Sequence, residues 1–160
     1  MNQSNQWIKN IPQEVGWYLA GFTDGEGSFN VSLKKVSDYK SKWKIEPSFN
    51  VSQRDFSNLI VFKKILGVGM IRKRKDGVFY FEIRNYRMLI ERVIPFFDKF
   101  QFRSRSKIKN FSIFKRIINL MDKKEHLTNE GLIKILQLRE ILNLGRGRKR
   151  KYSLGDYTNS

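Results

Sequence analysis

At 160 residues the chain is long enough to bury one substantial core and too short for two comfortable domains. Lys and Arg number 32 against 15 Asp and Glu, a formal net charge of +17 that favours a polyanionic partner, because phosphate neutralisation supplies most sequence-independent DNA affinity. With no Cys, one His and no long apolar run, the residues for a disulfide framework, a zinc or histidine-metal site and a membrane-spanning helix are missing, and an intracellular protein without a membrane partner is expected.

The opening Met1 to Gln6 is polar, with neither a signal peptide's apolar centre nor a transit peptide's arginines. A first helix is predicted from about Pro12, suited to a first helical turn, to Gly25. It ends in Asp24 and Glu26, although acids are the wrong choice where the peptide dipoles already present negative charge. A bound cation would resolve that conflict. Gly16 with Ala20, and Gly21 with Gly25, are small residues four apart, a spacing that lets a second helix backbone approach closely. They are the expected helix–helix seam.

Period two then takes over: Phe29, Val31 and Leu33 face one way, Ser28, Asn30, Ser32 and Lys34 the other. After a loop from Val36 to Ser41, a second alternating run sets Trp43, Ile45, Phe49 and Val51 inward and Lys44, Glu46, Ser48, Asn50 and Ser52 outward. Pro47 on its inward face suggests an edge position or a bulge. A helical pattern with Phe56, Leu59 and Ile60 runs from about Arg54 to Leu66 and stops at Gly67. For the next hairpin, Asp76-Gly77 invites a two-residue turn, but a loop over Lys75 to Gly77 pairs Arg72 with Tyr80 and lets Phe79, Phe81 and Ile83 share the core face. Register follows the burial pattern, so the longer loop is preferred. A helix near Tyr86 to Ile94 is predicted to stop at Pro95, with Phe96, Phe97, Phe100 and Phe102 in the core. Helices over about Lys109–Met121 and Asn129–Leu142 follow. Residues 1–144 are expected to form one domain, and 145–160 a basic tail with no apolar pattern. His126 is expected at the surface.

The run Leu19-Ala20-Gly21-Phe22-Thr23-Asp24-Gly25-Glu26-Gly27 closely resembles the signature of the LAGLIDADG homing endonucleases, intron- or intein-encoded enzymes that cleave DNA. The resemblance spans most of the chain and implies an α+β fold, an αββαββα core whose four-stranded antiparallel saddle lies on DNA, here with extra C-terminal helices. One copy of the signature implies a homodimer acting on a nearly palindromic site. It also implies that Glu26, at the signature's penultimate acid, is the metal ligand, with Gly25 beside it and Mg²⁺ as the cofactor. Asp24 in this signature organises the helix end. By the same resemblance Gln53 contacts solvent near the metals, with Arg54 a further basic candidate. Lys107, four residues before Phe111 and ahead of the penultimate helix, stabilises charge at the cleavage site, and Lys109 is the fallback.

DNA readout is expected from the outward strand positions Asn30, Ser32, Lys34, Lys44, Glu46, Ser48 and Asn50, with Arg72, Arg74, Tyr80 and Glu82, because a two-stranded ribbon fits the major groove. Lys35, Lys40 and Lys42 are expected on phosphates, which position without specifying sequence. The run Arg146 to Lys151 reads as a flexible DNA-backbone arm, more simply than as a nuclear localisation signal. Heavy use of Asn, Ile, Lys and Phe hints at an AT-rich genome such as that of a mitochondrion or plastid. The functional expectation is a homing endonuclease making a metal-dependent double-strand break with short 3′ overhangs at a long target. Its rivals are a maturase that binds the host group I intron RNA and a non-catalytic DNA-binding regulator.

Overall fold

The computed structural model describes residues 6–145 and 149–160. Helices α1 (Gln6–Lys9) and α2 (Gln13–Glu26) lead into a hairpin of β1 (Gly27–Lys35) and β2 (Trp43–Gln53). Helix α3 (Ser57–Leu66) links it to a second hairpin, β3 (Met70–Lys73) and β4 (Phe79–Ile83). Then come α4 (Tyr86–Met88), a π-helical turn (Leu89–Val93), α5 (Ile94–Lys99), α6 (Arg105–Asp122), α7 (Asn129–Ile141) and α8 (Leu154–Thr158). The strands form one antiparallel sheet in the order β1-β2-β4-β3, so the α+β order read from the sequence is present.

Strand alternation divides the molecule into two layers. Phe29, Val31 and Leu33 of β1, with Trp43, Ile45, Phe49 and Val51 of β2, are buried against the helices. Phe29 lies among Phe49, Phe97, Phe102, Phe111 and Phe114, with ring centroids 5.1–5.8 Å away. Burying one such side chain stabilises the fold by about 1.5–3 kcal/mol. The register from Gly27–Val51 to Lys35–Trp43 is unbroken, so Pro47 makes no bulge. Pairing with β4 begins only at Phe49, so Pro47 stands where β2 has a single neighbour and a missing N–H is tolerated.

The second hairpin takes the longer loop. Arg72 pairs with Tyr80, Arg74 donates its N–H to the Val78 carbonyl at 2.8 Å, and Gly77 closes the loop at φ 84, a conformation open to glycine.

Elsewhere local signals mislead. Pro95 does not stop its helix. In a regular α-helix the proline ring collides with the carbonyl four residues back; here the preceding turn is widened, the Ile94 N–H reaching the Leu89 carbonyl, and Pro95 enters at the start of α5. Helix α6 begins earlier than expected, because the Ser104 hydroxyl caps it by accepting the Lys107 N–H at 3.3 Å. Lys107 therefore lies in the first turn of α6, not ahead of it. In α3 the buried stripe is Leu59, Phe62 and Leu66, while Phe56 and Ile60 are exposed. His126 is half-buried in the turn between α6 and α7, where burial lowers its pKa against the opposing hydrogen bond to the Met121 backbone.

The expected tail is also corrected. Residues Arg146–Arg148 lie outside the described residues, but Lys149 to Ser160 pack on the fold. Ser153 and Asp156 form a capping box for α8. Tyr152 and Tyr157 stand edge-on to Trp43, centroids 5.1 and 6.2 Å away, and the indole N–H donates to Ser160 Oγ at 3.1 Å.

Candidate nucleic-acid interface

Helix α2 closes with the Gly27 N–H on the Thr23 carbonyl, leaving Gly25 and Glu26 exposed at its foot. Asp24 explains half of the acid conflict. Its carboxylate accepts the backbone N–H of Arg103 at 3.0 Å and of Ser104 at 2.9 Å, and the Ser104 hydroxyl. Burial opposes its charge, yet the hydrogen bonds from Ser104 and Arg103, with Lys107 nearby, hold its pKa below the ordinary carboxylate value. Asp24 thus ties the end of α2 to the start of α6. Half-buried Lys107 completes the tie, its ammonium donating to the Gly27 carbonyl. That carbonyl belongs to the residue directly after Glu26. Gln53 ends β2, two residues beyond the partner of Gly27, with its side-chain oxygen accepting the Arg54 N–H at 3.1 Å. Arg54 and Lys109 are exposed.

The donor set fits a hard cation only in part. Glu26 offers a carboxylate, and the last carbonyls of a helix, that of Gly25 among them, lack intrahelical partners. Yet among the described residues no three His, Cys, Asp or Glu form a group able to hold a metal ion. One chain brings one free acid to this point.

The small-residue stripe splits. Gly16 and Ala20 face the chain's own core, which corrects their assignment to an open seam: a Cβ on Gly16 would stand 2.1 Å from Phe100 Cζ, and Ala20 is buried. Gly21 and Gly25 face open space, with nothing within 4 Å of an added Cβ. Beside them Trp17 is 44% and Tyr18 52% exposed.

The other sheet face carries the outward residues in cross-strand rows. Asn50 stands between Ser28 and Glu82, with Met70 beyond. Ser52, Tyr80 and Arg72 form the next row, and Asn30 with Ser48, Ser32 with Glu46, and Lys34 with Lys44 continue toward the β1–β2 loop. Arg74 follows Arg72 by two, into the loop. The charges are partly internal. Glu46 pairs with Lys34 and, at 3.0 Å, with Lys44; the Lys34 bond most of all, with Lys44 adding to it against burial, holds the Glu46 pKa down. Glu82 pairs with Arg84 at 2.9 Å. Lys35 lies over the rings of Trp43 and Tyr152, while Lys40 and Lys42 are exposed in the loop.

Alternation sets Ser28 and Ser52 on this face, although neither is among the expected readout residues, and it could have added Arg84. No local signal could have found Arg139 and Asn143, which join Lys107 at the open edge of β1. There the Gly27, Phe29 and Val31 carbonyls accept from Lys107, from Asn143 Nδ2 at 2.6 Å and from Arg139 Nε at 2.8 Å. Side chains from the helical layer take the place of a fifth strand. No helix among the described residues is long and apolar enough to cross a membrane.

Comparison with known proteins follows the same outline. The family described as LAGLIDADG endonuclease matches residues 19–118, from α2 into α6. The chain is 33% identical over 140 residues to "Probable intron-encoded endonuclease 2" of Neurospora crassa, covering 85% of this chain and 31% of that protein. To "DNA endonuclease I-CeuI" of Chlamydomonas moewusii it is 32% identical over 135 residues, covering 80% of this chain and 62% of that protein. The chain therefore spans less than two thirds of either. The crystal structure of the homing endonuclease I-TnaI superposes with a TM-score of 0.76 at 35% identity, over 82% of this chain and 89% of that one. I-SmaMI, a LAGLIDADG homing endonuclease solved on cleaved DNA, superposes with a TM-score of 0.77 at 35% identity, over 83% of this chain and 45% of that one. The same protein has been solved on an uncleaved DNA target in the presence of calcium ions.

Proposed function

The chain belongs to the LAGLIDADG endonuclease family, and from that premise we propose that it is a site-specific endonuclease cutting both strands of DNA as a homodimer. The observation that carries this reading is the tie at the foot of α2: an exposed acid, Glu26, directly before the Gly27 carbonyl that takes the Lys107 ammonium, at the margin of a polar sheet face. A structural helix end has no use for an uncompensated acid there.

A second copy supplies what one chain lacks. Docking through the outer face of α2, where Trp17, Tyr18, Gly21 and Gly25 are open, brings two Glu26 carboxylates together. The coverage of nearly all of I-TnaI but under half of I-SmaMI supports a unit that is completed by pairing. In the pair, Glu26 and the Gly25 carbonyl would hold divalent cations, and oxygen donors of this kind suit Mg²⁺. A cation bound there would supply a nucleophile at neutral pH and stabilise the departing 3′ oxygen. The chain's own groups do the rest. Lys107 sets a positive charge beside the phosphate as negative charge builds on its oxygens. Gln53, acceptor and donor in one amide, orients water at the strand end. Water adds to phosphorus, the bond to the 3′ oxygen breaks, and a 5′ phosphate and a 3′ hydroxyl remain.

Recognition belongs to the polar sheet face, with Asn30, Ser48, Asn50, Arg72 and Tyr80 reading bases in the major groove and Lys34, Lys44 and Arg74 reinforcing the grip. A two-fold pair of such faces calls for a long pseudo-palindromic target, cut to leave short 3′ overhangs. The intron-encoded Neurospora relative supports an intron origin, and the residue usage supports an organelle genome.

The test is cleavage of DNA carrying the uninterrupted insertion locus, with Mg²⁺ or EDTA, by wild type and Glu26→Gln. Metal-dependent double-strand cutting that Glu26→Gln loses while still binding DNA establishes the nuclease and its acid. Tight binding without cutting at a confirmed site would defeat this reading in favour of a regulator or a maturase, and intron RNA would then be the next ligand.

A further inference from the structure

A groove of about 980 Å³ runs along the open edge of β1, from Gly25 and Gly27 at the foot of α2 to Lys34 and Lys35 at the far end of the strand. Its inner wall is the polar side of β1, and its outer wall is the segment Lys149 to Tyr152. The wall is built by alternation. Arg150 donates to the carbonyls of Glu140 at 3.3 Å and Leu142 at 2.6 Å, capping the end of α7, and Tyr152 packs on Trp43. Lys149 and Lys151, the alternate residues, are exposed along the groove.

The wall is fastened to the strand by Arg139. This arginine is only 3% exposed, and its one guanidinium donates from Nε to the Val31 carbonyl at 2.8 Å and from an Nη to the Tyr152 carbonyl at 2.9 Å. A buried guanidinium is costly unless its donors are satisfied. Here it fixes the distance between the two walls. Lys149 and Lys151 put cations on the outer side of a trough that begins at the foot of α2, and Lys34, paired with Glu46, adds a cation on the strand side; no acid is among the described residues that line the trough itself. β1 rises ~3.4 Å per residue, so the groove follows about 27 Å of strand.

We propose that this groove is a track for one DNA strand's phosphate backbone, with Lys149 and Lys151 as its outer contacts and Arg139 as the residue that positions them. The inference rests on the nuclease reading and deepens it: the C-terminal segment is a docked wall, and it grips phosphates flanking the cut without reading bases. Such contacts appear as released counterions, each neutralised phosphate adding about 0.9 to the slope of log affinity against log salt.

The experiment measures that slope on target and on unrelated duplex, for wild type, Lys149→Gln/Lys151→Gln, and a charge-matched control, Arg116→Gln/Lys123→Gln, two exposed residues on α6 and just past its end. The groove pair is expected to lose about 1.8 in slope per protomer, equally on both duplexes, while the control keeps the wild-type slope. Arg139→Lys, which preserves net charge but shortens the fork, is expected to lose slope as well. A groove pair with wild-type slope, or a control pair that loses as much, would overturn the track while leaving the nuclease reading intact. Wild type that binds no duplex would overturn both.

Discussion

Gly16→Ala and Gly21→Ala make the same change at two positions of α2, and the structure sets opposite outcomes for them. In a helix interior alanine is favoured over glycine by about 1 kcal/mol. At Gly16 that gain meets a ring: the new Cβ would lie 2.1, 2.3 and 2.5 Å from Cζ, Cε1 and Cε2 of Phe100. Phe100 has no room to retreat, being fully buried, edge-on to Trp17 at 5.5 Å and against Phe96 at 5.0 Å. Overpacking a filled core costs about 1–3 kcal/mol, and contacts this far inside van der Waals distance at a rigid ring belong at or beyond the top of that range. Set against the propensity gain, the net loss is about 2 kcal/mol. With a urea slope of about 2 kcal/mol per molar, the unfolding midpoint falls by about 1 M.

At Gly21 nothing lies within 4 Å, so the methyl leaves the single chain as stable or slightly more stable and meets only a partner helix. Self-association is then expected to weaken about tenfold or more, a change of about 1.4 kcal/mol. Urea unfolding at fixed chain concentration and sedimentation through a dilution series separate the two effects. Gly16→Ala unfolding at or above the wild-type midpoint would refute the argument from Phe100. Gly21→Ala associating as tightly as wild type would remove the outer face of α2 from the seam.

Three further outcomes follow from named contacts. The Asp24 pKa is lowered in the fold, so its contribution is complete above the unfolded value of about 3.9 and is lost as pH falls through the folded one. Asp24→Asn should therefore cost about 1–2 kcal/mol at neutral pH, with the gap to wild type closing below about pH 4; a gap constant into acid would contradict this. Arg139→Ala leaves the Val31 and Tyr152 carbonyls without their donors, for a loss of about 3 kcal/mol and a melting temperature lower by about 6–12 °C. A calorimetric scan showing no shift would mean that water replaces the guanidinium at little cost. Glu46→Gln frees Lys34 and Lys44 from their shared acid, so binding to unrelated duplex should tighten and its salt slope steepen by about 1–2. Unchanged non-specific affinity would show that neither lysine reaches a phosphate.

What this chain determined locally was the identity of its elements and the faces they present. Alternation at Phe29 to Lys34 and Trp43 to Gln53 carried the strands, their buried side and their polar side, because side-chain direction in a strand depends only on position along it. The burial pattern of Phe79, Phe81 and Ile83 even chose the hairpin loop, since a slip of one residue would turn every one of them over. Glu26 stood out as an acid at the negative end of a helix, a conflict visible without coordinates.

What covers each face was decided only by tertiary structure. Gly16 and Gly21 are both small residues on one helix, yet Phe100, 84 positions after Gly16 in the sequence, fills the space over the first and nothing fills the space over the second. The run near Lys107 read as a loop because its helix is capped by Ser104, a residue itself held by Asp24. Pro95 read as a stop because the widened turn that accommodates it has no signature of its own. The tail read as solvated charge because Tyr152 and Tyr157 are too sparse to make a pattern, and their partner Trp43 lies more than a hundred residues upstream. Periodicity reports which side of an element is apolar, but the atoms that satisfy a carbonyl or block a methyl come from chain remote in sequence, and only the folded packing brings them together.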